Sequence, residues 1–384
     1  METAMHMVIM GCGEITSAAA QELARDGDIR LTVADRDEGR ARDLAARVGA
    51  RPARVDVTDP AGLRELLGDA DAVLNGVGPV FRFGRRVIEA AVDTGTHCVD
   101  VCDEYDVTAE VFADPALDLA ARDAGATVLL GCGASPGITN LAARWAAEGL
   151  DEVRSIDILV GVPTMPSFGV TINEHMLHAL SGEVLQVIDR EQRAVPAWGG
   201  AVEESLPEPF GTHTFGYMGH PEPITLARRY GLERATIRYS WLSAETNRLW
   251  QDFARLGLTA DGPVPGTGLS PRGFFARLLD NDHAAAIPGA VPSTRPIGSA
   301  WRIIATGTRS GETAQVTVDN PIRDADLRCT GAELTALPAA WAARSILSGE
   351  ARHPGIAAPE DLFDPEPFIG AYIERTGCRI QRSL

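Results

Sequence analysis

Short apolar runs alternate with amphipathic segments over the first third of the chain. The runs have the length of β-strands and end at Gly, Asn or Asp. The segments between them repeat apolar residues every three or four positions, which is typical of helices. Ile15, Ala18, Ala19 and Leu23 mark the first helical face. Because strands that alternate with helices pack as βαβ units, the pattern predicts a parallel, doubly wound sheet.

Six strands and the ends of several helices follow from this pattern. Asp37 opens the second helix and Gly49 closes it, while Asp114-Pro115 caps and starts a later helix. The predicted strands are 8–10, 31–34, a third that ends at 54–56, 72–75, 97–100 and 127–130.

The pattern changes after residue 138 and predicts a second, mixed and partly antiparallel domain. Its strand signals lie at 155–162, 235–241, 301–308 and 313–318. The last two flank Arg309-Ser310-Gly311-Glu312, which is a hairpin signal. Residues 258–298 are rich in Gly and Pro and predict long loops with a short helix at 274–279. The chain is helical again from 331, most clearly over 339–347.

The first 35 residues have the order of a dinucleotide-binding unit: strand, glycine turn, helix, strand, acid. Gly11 allows a tight turn, and Gly13 lets the backbone approach a pyrophosphate at the helix N-terminus. Asp35 lies 22 residues after Gly13, near the ~20 typical of the acid that binds the adenosine ribose. Thr16 stands at the third glycine position, where a larger side chain is expected to push the helix off the strand.

Asp35 also influences whether the site prefers NAD or NADP. A carboxylate at Asp35 opposes a 2′-phosphate and favours NAD. Arg36 follows it directly, and an arginine can accept that phosphate or stack on adenine. The sequence therefore predicts NAD, with NADP as the open alternative.

Two further strand ends carry candidate cofactor contacts. Gly76 and Gly78 follow the fourth strand, at the edge where ligands bind in such sheets, although an ordinary glycine loop is the alternative. Asp56 follows the third strand and is expected either to meet the adenine or to be a solvated strand end.

Composition narrows the possible partners and chemistry. A length of 384 residues suits two domains. A formal net charge of −18 argues against nucleic acid and anionic membranes. No apolar run has the length of a membrane span, no secretory leader is visible, and the six cysteines form no CxxC pair or zinc pattern. We therefore expect a cytoplasmic protein without a bound metal.

The chain contains no lysine, so all 35 basic residues are arginine. A lysine Schiff base and a P-loop are both excluded. Because arginine stays protonated, any proton relay must use His, Asp, Glu, Tyr, Cys or water.

Several motifs identify a family resemblance. They are Val73–Phe81 (VLNGVGPVF), His97–Glu104 (HCVDVCDE), Gly133–Asn140 (GASPGITN), Gly219–Pro223 (GHPEP) and Asp364–Phe368 (DPEPF). With these motifs the chain resembles the saccharopine dehydrogenase-like family, including lysine 6-dehydrogenase-like proteins. The resemblance implies a Rossmann doubly wound α/β domain at 1–135 and a mixed α+β substrate-binding and dimerisation domain at 136–330. It also implies that C-terminal helices at 331–384 return to the first domain.

The resemblance implies hydride transfer between a nicotinamide and a carbon–nitrogen bond of an amino acid, amine or imine. Lysine 6-dehydrogenase-like and imine reductase chemistry, within amino acid metabolism, stay open. Two other functions are possible. One is a reductase of an unsaturated lipid or polyketide intermediate, and the other is a non-catalytic NAD(H)-binding regulatory protein. A homodimer is expected through the second domain.

The expected cofactor contacts combine the strand ends, the turns and the family motifs. They are Gly11, Gly13, Glu14, Ile15, Asp35, Arg36, Asp56, Val57, Asn75, Gly76, Val77, Gly78, Pro79 and Pro136.

Proton transfer is assigned to Glu104 and His220, with His175 as a further candidate, because imidazole titrates near neutral pH. Glu104 has an alternative role as a helix N-terminal acid. Thr171 and Glu174 have capping-box spacing, so Glu174 is predicted to be structural, and the helix start is a candidate site for a substrate carboxylate. The substrate-binding candidates are Arg82, Thr171, Arg228 and Arg229.

Overall fold

A computed structural model describes residues 5–162, 169–280 and 298–384. The predicted loop region at 258–298 therefore lies partly outside the described residues. The helices are α1 (Glu14–Ala24), α2 (Glu38–Val48), α3 (Pro60–Leu67), α4 (Val80–Thr94), α5 (Tyr105–Phe112), α6 (Pro115–Asp123), α7 (Ile138–Ala147), α8 (Val170–Ala179), α9 (Glu222–Tyr230), α10 (Ala244–Arg255), α11 (Pro271–Leu278), α12 (Gly331–Ser348), α13 (Pro359–Leu362) and α14 (Pro365–Thr376).

The strands belong to two sheets. They are β1 (Met5–Met10), β2 (Ile29–Asp35), β3 (Arg51–Arg54), β4 (Ala72–Asn75), β5 (His97–Asp100), β6 (Thr127–Leu129), β7 (Glu152–Gly161), β8 (Glu183–Ile188), β9 (Glu191–Pro196), β10 (Val202–Leu206), β11 (Gly211–Tyr217), β12 (Arg234–Ser240), β13 (Gly298–Arg309), β14 (Glu312–Arg323), β15 (Gly355–Ala357) and β16 (Gln381–Ser383).

The chain forms two compact units. The first comprises the chain up to Leu141 together with Cys329–Thr376, and the second comprises Ala142–Arg328 and Gly377–Leu384. The first unit contains a seven-stranded sheet in the order β15-β6-β5-β4-β1-β2-β3. Every neighbouring pair in it is parallel. The predicted doubly wound sheet is confirmed, and β15 near the C-terminus adds a seventh strand that the sequence did not predict.

The residues predicted to begin and end α2 and α6 of the first unit have these roles in the structure. The Asp37 carboxylate accepts hydrogen bonds from the backbone N–H groups of Gly39 and Arg40 at the start of α2. Gly49 closes that helix in the left-handed conformation, with φ of 69°. Asp114 caps α6 in the same way, with Pro115 in the first turn. The third strand ends at Arg54, two residues earlier than predicted.

The C-terminal helix α12 packs against α1 within the first unit. The indole N–H of Trp341 donates to the Glu22 carboxylate at 3.2 Å. The Arg344 guanidinium also donates to the backbone carbonyl of Leu23. These contacts hold the helix whose N-terminus follows the first glycine turn.

The second unit is built on a nine-stranded mixed sheet. Its main path runs β10-β11-β12-β7-β13-β14-β16, and β8 pairs with β12 and β9. Only β12 and β7 pair in parallel; the other pairings are antiparallel, as predicted. The β13–β14 turn contains Ser310 and Gly311, both at positive φ, which matches the twist of a tight hairpin.

One prediction for the second unit was wrong. Helix α8 begins at Val170 with Gly169 as its N-cap residue, and no side chain caps it. Thr171 is therefore inside the first turn and forms no capping box with Glu174. The Glu174 carboxylate is buried and lies 3.9 Å from the Arg277 guanidinium. Within the described ranges, no helix is long and apolar enough to cross a membrane.

Candidate functional site

The parallel sheet of the first unit gathers the predicted cofactor contacts at one edge. In such a sheet the carboxyl ends of all strands point the same way, and the ligand crevice lies outside them. Ten of the fourteen predicted residues lie in the turns after β1, β2, β3, β4 and β6; Asp35 and Asn75 are the last residues of β2 and β4, and Glu14 and Ile15 begin α1. This edge is where such a sheet binds a dinucleotide, and the individual contacts stay predictions.

The turn after β1 fits a pyrophosphate. Gly11 has φ of +83°, and a Cβ there would lie 2.9 Å from the carbonyl oxygen of Gly76. Gly13 precedes α1, and no side chain accepts from the first N–H groups of that helix. A free helix N-terminus beside a turn without side chains is what an anion needs to approach the backbone.

Thr16 at the third glycine position packs on the loop after β4. A Cβ at Gly76 would lie only 2.3 Å from Cγ2 of Thr16, which is buried. Gly76 therefore makes the room that Thr16 needs. The predicted displacement of the helix by Thr16 stays a prediction.

Both carboxylate oxygens of Asp35 accept hydrogen bonds from the chain itself. Oδ2 accepts from the backbone N–H of Cys12 at 2.8 Å, and Oδ1 accepts from Asp37 at 2.9 Å. Asp35 thus holds the glycine turn in addition to any contact with a ribose. Burial, followed by the charge of Asp35, raises the pKa of the Cys12 thiol to about 11, so that thiol stays protonated at neutral pH.

Basic groups surround the ends of β2 and β3. The backbone and side chain of Thr58 lower the pKa of exposed Asp56 by hydrogen bonding, and the charges of Arg36 and Arg54 lower it further by smaller amounts. Arg40, in the first turn of α2, acts electrostatically on the Cys12 thiol. Sequence reasoning named Arg36 but missed Arg40 and Arg54.

The loop after β4 is held by two buried polar side chains. The Asn75 amide donates to Oδ2 of Asp100 at 2.7 Å, and Oδ1 of Asn75 accepts from the backbone N–H of Val77 at 3.2 Å. The backbone N–H of Cys102 donates to Oδ1 of Asp100 at 2.6 Å. Burial raises the pKa of Asp100 to about 7, against the opposing effect of these hydrogen bonds. Pro79 ends the loop as the N-cap residue of α4.

Pro136 lies in the turn after β6. The backbone N–H of Gly133 donates to the Pro136 carbonyl at 2.7 Å. Oδ1 of Asn140 accepts from the N–H of Gly137 at 2.9 Å, and the Asn140 amide donates to buried Glu360 at 3.0 Å. Glu360 thus supports this turn from a segment more than 200 residues away, a contact that local sequence patterns do not predict.

Glu104 is buried and is the N-cap residue of α5. Its side chain makes no capping hydrogen bond. Its backbone N–H donates to Sγ of Cys102 at 3.4 Å. Both predicted roles of Glu104 therefore stay open. Arg82 is exposed, with its guanidinium 5.2 Å from the centre of the Phe81 ring.

The second unit brings two of the predicted histidines together. His175 on α8 and His220, just before α9, are both buried. Their ring centres are 5.9 Å apart in an edge-to-face arrangement. Nδ1 of His220 forms a hydrogen bond with Oε2 of Glu222, which is completely buried. Because a carboxylate can only accept, Nδ1 carries the proton and Nε2 is the nitrogen left for acid–base chemistry.

Glu222 is a functional candidate that sequence reasoning missed. It was quoted only as part of the Gly219–Pro223 motif. The signal was present, since a carboxylate two residues from a histidine in a proline-flanked turn has little freedom to point elsewhere. Glu222 also begins α9, where its negative charge is favoured by the helix dipole.

The three other substrate-binding candidates of this unit lie on exposed surface. Thr171 is in the first turn of α8. Arg228 and Arg229 are in the last turn of α9. Arg228 follows Glu222 by six positions in α9, which corresponds to about 9 Å along the helix axis. The role of these arginines in substrate binding stays a prediction.

An aromatic cluster packs against the helix that carries His175. Met176 and Leu177 of α8 contact it, and three aromatic rings form its centre: Trp241, Trp250 and Phe275. The Trp241 and Trp250 ring centres are 4.8 Å apart. A polar histidine–glutamate pair therefore shares its unit with a large apolar cluster.

Comparison with known proteins supports the resemblance that the motifs predicted. Residues 7–129 match the saccharopine dehydrogenase NADP binding domain. The saccharopine dehydrogenase [NADP(+), L-glutamate-forming] of Saccharomyces cerevisiae is 30% identical over 151 residues, which is 38% of this chain. The aligned sequence spans 31% of the length of the yeast enzyme.

Two further similarities extend over more of the chain. The trans-acting enoyl reductase of Mycobacterium bovis is 28% identical over 319 residues, covering 72% of this chain and 74% of that protein. The structure of the yeast L-glutamate-forming saccharopine dehydrogenase covers 99% of both chains, with a TM-score of 0.65 and 18% identity. The fold is therefore that of saccharopine dehydrogenase. The match to an NADP-binding domain supports a nicotinamide cofactor and favours NADP, so the predicted preference for NAD is not confirmed.

Proposed function

We propose that this chain, whose first unit contains a saccharopine dehydrogenase NADP binding domain, is an oxidoreductase that transfers hydride at a carbon–nitrogen bond of an amino acid, amine or imine. The observation that carries the proposal is the buried His220–Glu222 pair beside His175. The yeast relative, named for an NADP(+)-dependent reaction that forms L-glutamate, supports this class of reaction.

Oxidation of an amine removes a hydride from carbon and a proton from nitrogen, and leaves a C=N bond. A bound nicotinamide dinucleotide accepts the hydride, or supplies it in the reverse direction. Nε2 of His220 takes the proton, and the Glu222 carboxylate stabilises the imidazolium that forms. In the reverse direction the same nitrogen returns the proton. Glu104 is the second candidate for this proton, because lysine is absent from the chain.

We infer NADP(H) as the cofactor. The family match favours it, and Arg36, Arg40 and Arg54 supply positive charge around the ends of β2 and β3. Arginine binds phosphate with a planar, multiple-donor fork. Asp35 opposes this choice, but its two oxygens already accept backbone hydrogen bonds. Homodimerisation and a cytoplasmic role in amino acid metabolism are further proposals, the first of which light scattering would test.

A second candidate function is reduction of an unsaturated lipid or polyketide intermediate. The aromatic cluster that packs on α8 favours it, because an acyl chain needs apolar surroundings. The mycobacterial trans-acting enoyl reductase is similar over most of this chain. The third alternative, a regulatory protein that binds nucleotide without turnover, gains no specific support.

One assay separates the three functions. Purified protein is supplied with NADP⁺ or NADPH, and the absorbance of reduced nicotinamide is followed with two panels of substrates. One panel contains amino acids, diamines and cyclic imines, and the other contains α,β-unsaturated acyl thioesters. Turnover confined to the first panel supports the proposal, turnover confined to the second supports the reductase, and tight binding without turnover supports a regulatory protein.

A further inference from the structure

Asp100 is a buried acid at the carboxyl edge of the parallel sheet. It is the last residue of β5, it is fully buried, and it pairs in register with Asn75 at the end of β4. The loop of Gly76 to Pro79 follows directly. Crevices outside the carboxyl ends of such strands are where dinucleotides bind in doubly wound sheets.

The neighbours of Asp100 provide hydrogen bonds but no positive charge. Its carboxylate accepts from the Asn75 amide and the Cys102 backbone. Among the described residues it forms no ion pair, and the nearby charge that acts on it, Asp103, has the same sign. An isolated carboxylate in such a place is costly, since burial removes its hydration.

The other titratable groups around Asp100 do not compensate its charge. Burial raises the pKa of the Cys98 and Cys102 thiols well above their usual range, so both are neutral. The charges of Asp103 and Glu104 both act to raise the pKa of Cys102. A cation that arrives in the crevice would therefore gain from the charge of Asp100 and relieve its cost.

We propose that the carboxylate of Asp100 is the counter-charge for the nicotinamide ring, so that the site binds the oxidised, positively charged cofactor more tightly than the reduced, neutral one. Asp100 is then a specificity-determining residue for the oxidation state of the cofactor. This inference rests on the nicotinamide site of the proposed function. It adds a thermodynamic bias to that function, because tighter binding of NADP⁺ than of NADPH makes the bound reduced cofactor the stronger hydride donor.

The proposal predicts a pH dependence that only one form of the cofactor shows. Burial brings the pKa of free Asp100 to about 7, so the group is about half protonated at neutral pH. A bound cation favours the ionised form and lowers that pKa, and by linkage the affinity for the cation rises with pH. A shift of one pKa unit corresponds to about a tenfold change in affinity.

Calorimetric titration without substrate tests this on the intact chain. The dissociation constants of NADP⁺ and NADPH are measured at pH 6 and pH 8, and their ratio is the readout, because the 2′-phosphate titrates in both. With a downward shift of one pKa unit, we expect the preference for NADP⁺ to increase about fivefold from pH 6 to pH 8. Titrations at pH 7 in buffers of different ionisation enthalpy count the protons that the complex releases on binding. Binding of NADP⁺ should release more protons than binding of NADPH does.

Two variants separate charge from structure. Asp100→Asn keeps the size of the side chain and removes the charge, so the ratio of affinities should lose its pH dependence. Asn75→Ala keeps the charge and removes the side chain that holds Val77. It should weaken the binding of NADP⁺ and NADPH by the same factor, and the ratio of the two affinities should still depend on pH.

A ratio in the wild type that is constant between pH 6 and pH 8 would overturn the role of Asp100. So would a pH-dependent ratio that survives in Asp100→Asn. Should the wild type bind both nucleotides with the expected ratio but convert no amine or imine, the proposed reaction fails while this inference stands. If neither nucleotide binds, the nicotinamide site itself is refuted, and the inference falls with it.

Discussion

The imidazole of His220 is hydrogen-bonded through Nδ1 to the Glu222 carboxylate, and both side chains are buried. The contact fixes the ring orientation and its tautomer. It also places a negative charge beside a group that becomes positive when it takes a proton. A histidine held this way suits proton transfer better than one free to rotate, and the two residues should be tested together.

We expect His220→Asn to lower turnover by about 10²–10⁴-fold, which is the usual contribution of a general acid or base. Glu222→Gln keeps a partner for Nδ1 and removes the charge, so its effect should be smaller and should shift the pH–rate profile. Nucleotide affinity should hold in both variants. Steady-state kinetics across pH, with the substrate found in the panel assay, provide the measurement.

Arg190→Ala is the control for this pair, because Arg190 is exposed in the same unit and forms a surface ion pair with Glu233. It should turn over substrate at the wild-type rate. Near-wild-type turnover in His220→Asn together with a large loss in Glu104→Gln would move the proton to Glu104. Wild-type rates in both would leave His175 or water as the route.

The contact between Thr16 and Gly76 predicts a rescue. Gly76→Ala places a methyl group 2.3 Å from Cγ2 of Thr16, and overpacking of this kind costs about 1–3 kcal/mol. Thr16→Ala removes the opposing methyl group. The double variant should therefore recover most of the stability lost in Gly76→Ala, and urea unfolding of the four proteins measures the coupling. Strict additivity of the two changes would show that the residues do not compete for space.

The sequence predicted the first unit well because its signals are local. Strand ends, the caps Asp37 and Gly49, and the glycine turn each depend on a few neighbouring residues, and the structure confirms them. The fifth strand was predicted with its observed bounds, His97–Asp100. Strand β15 was not predicted. It has three residues, and its place in the sheet depends on pairing with β6, more than 200 residues earlier.

The candidate site was predicted less completely, for a related reason. Residue type and position after a strand identified Asn75 and Asp35, but not which groups they bond. Asp100 lies in the HCVDVCDE motif, but the sequence does not show its burial or its pairing with Asn75, which make it central to the loop after β4. Spacing along the chain cannot show whether an acid is buried, and burial is what raises the pKa of Asp100.

Cofactor choice should follow the arginines around the ends of β2 and β3. We expect the wild type to prefer NADP(H) over NAD(H). Arg36→Ala and Arg40→Ala should each weaken NADPH binding about tenfold, since a charge-assisted hydrogen bond contributes about 1.5–3 kcal/mol. NADH binding should change little, because NADH lacks the 2′-phosphate. Fluorescence titration of the reduced nucleotides gives both affinities.

Asp35→Asn provides the complementary measurement. If the wild type binds NAD(H) more tightly, and Asp35→Asn narrows that gap, the carboxylate governs the site and the inference of NADP(H) is wrong. Arg64→Ala is a suitable control for lost positive charge, since Arg64 on α3 is exposed and paired with Asp93.

The buried carboxylate of Asp100 should also make stability depend on pH. Its pKa in the folded chain is about 7, against about 3.9 in an unfolded chain. Between these values the folded state binds more protons than the unfolded state, so the contribution of Asp100 to stability falls as pH rises from 4 to 7. Asn does not titrate. The stability of Asp100→Asn relative to the wild type should therefore rise by roughly 3 kcal/mol between pH 5 and pH 8.

Urea unfolding of both proteins at pH 5, 6, 7 and 8 measures this difference, and taking the difference cancels the other titrating groups. Asp56→Asn is the control. Asp56 is exposed and its pKa is lowered by Thr58, so it is ionised in the folded and unfolded states above pH 5. The difference in unfolding free energy between Asp56→Asn and the wild type should therefore not change with pH. A flat difference for Asp100→Asn as well would mean that Asp100 ionises near its ordinary pKa. The crevice would then hold a carboxylate solvated well enough to need no counter-charge, and the preference for oxidised cofactor would lose its physical basis.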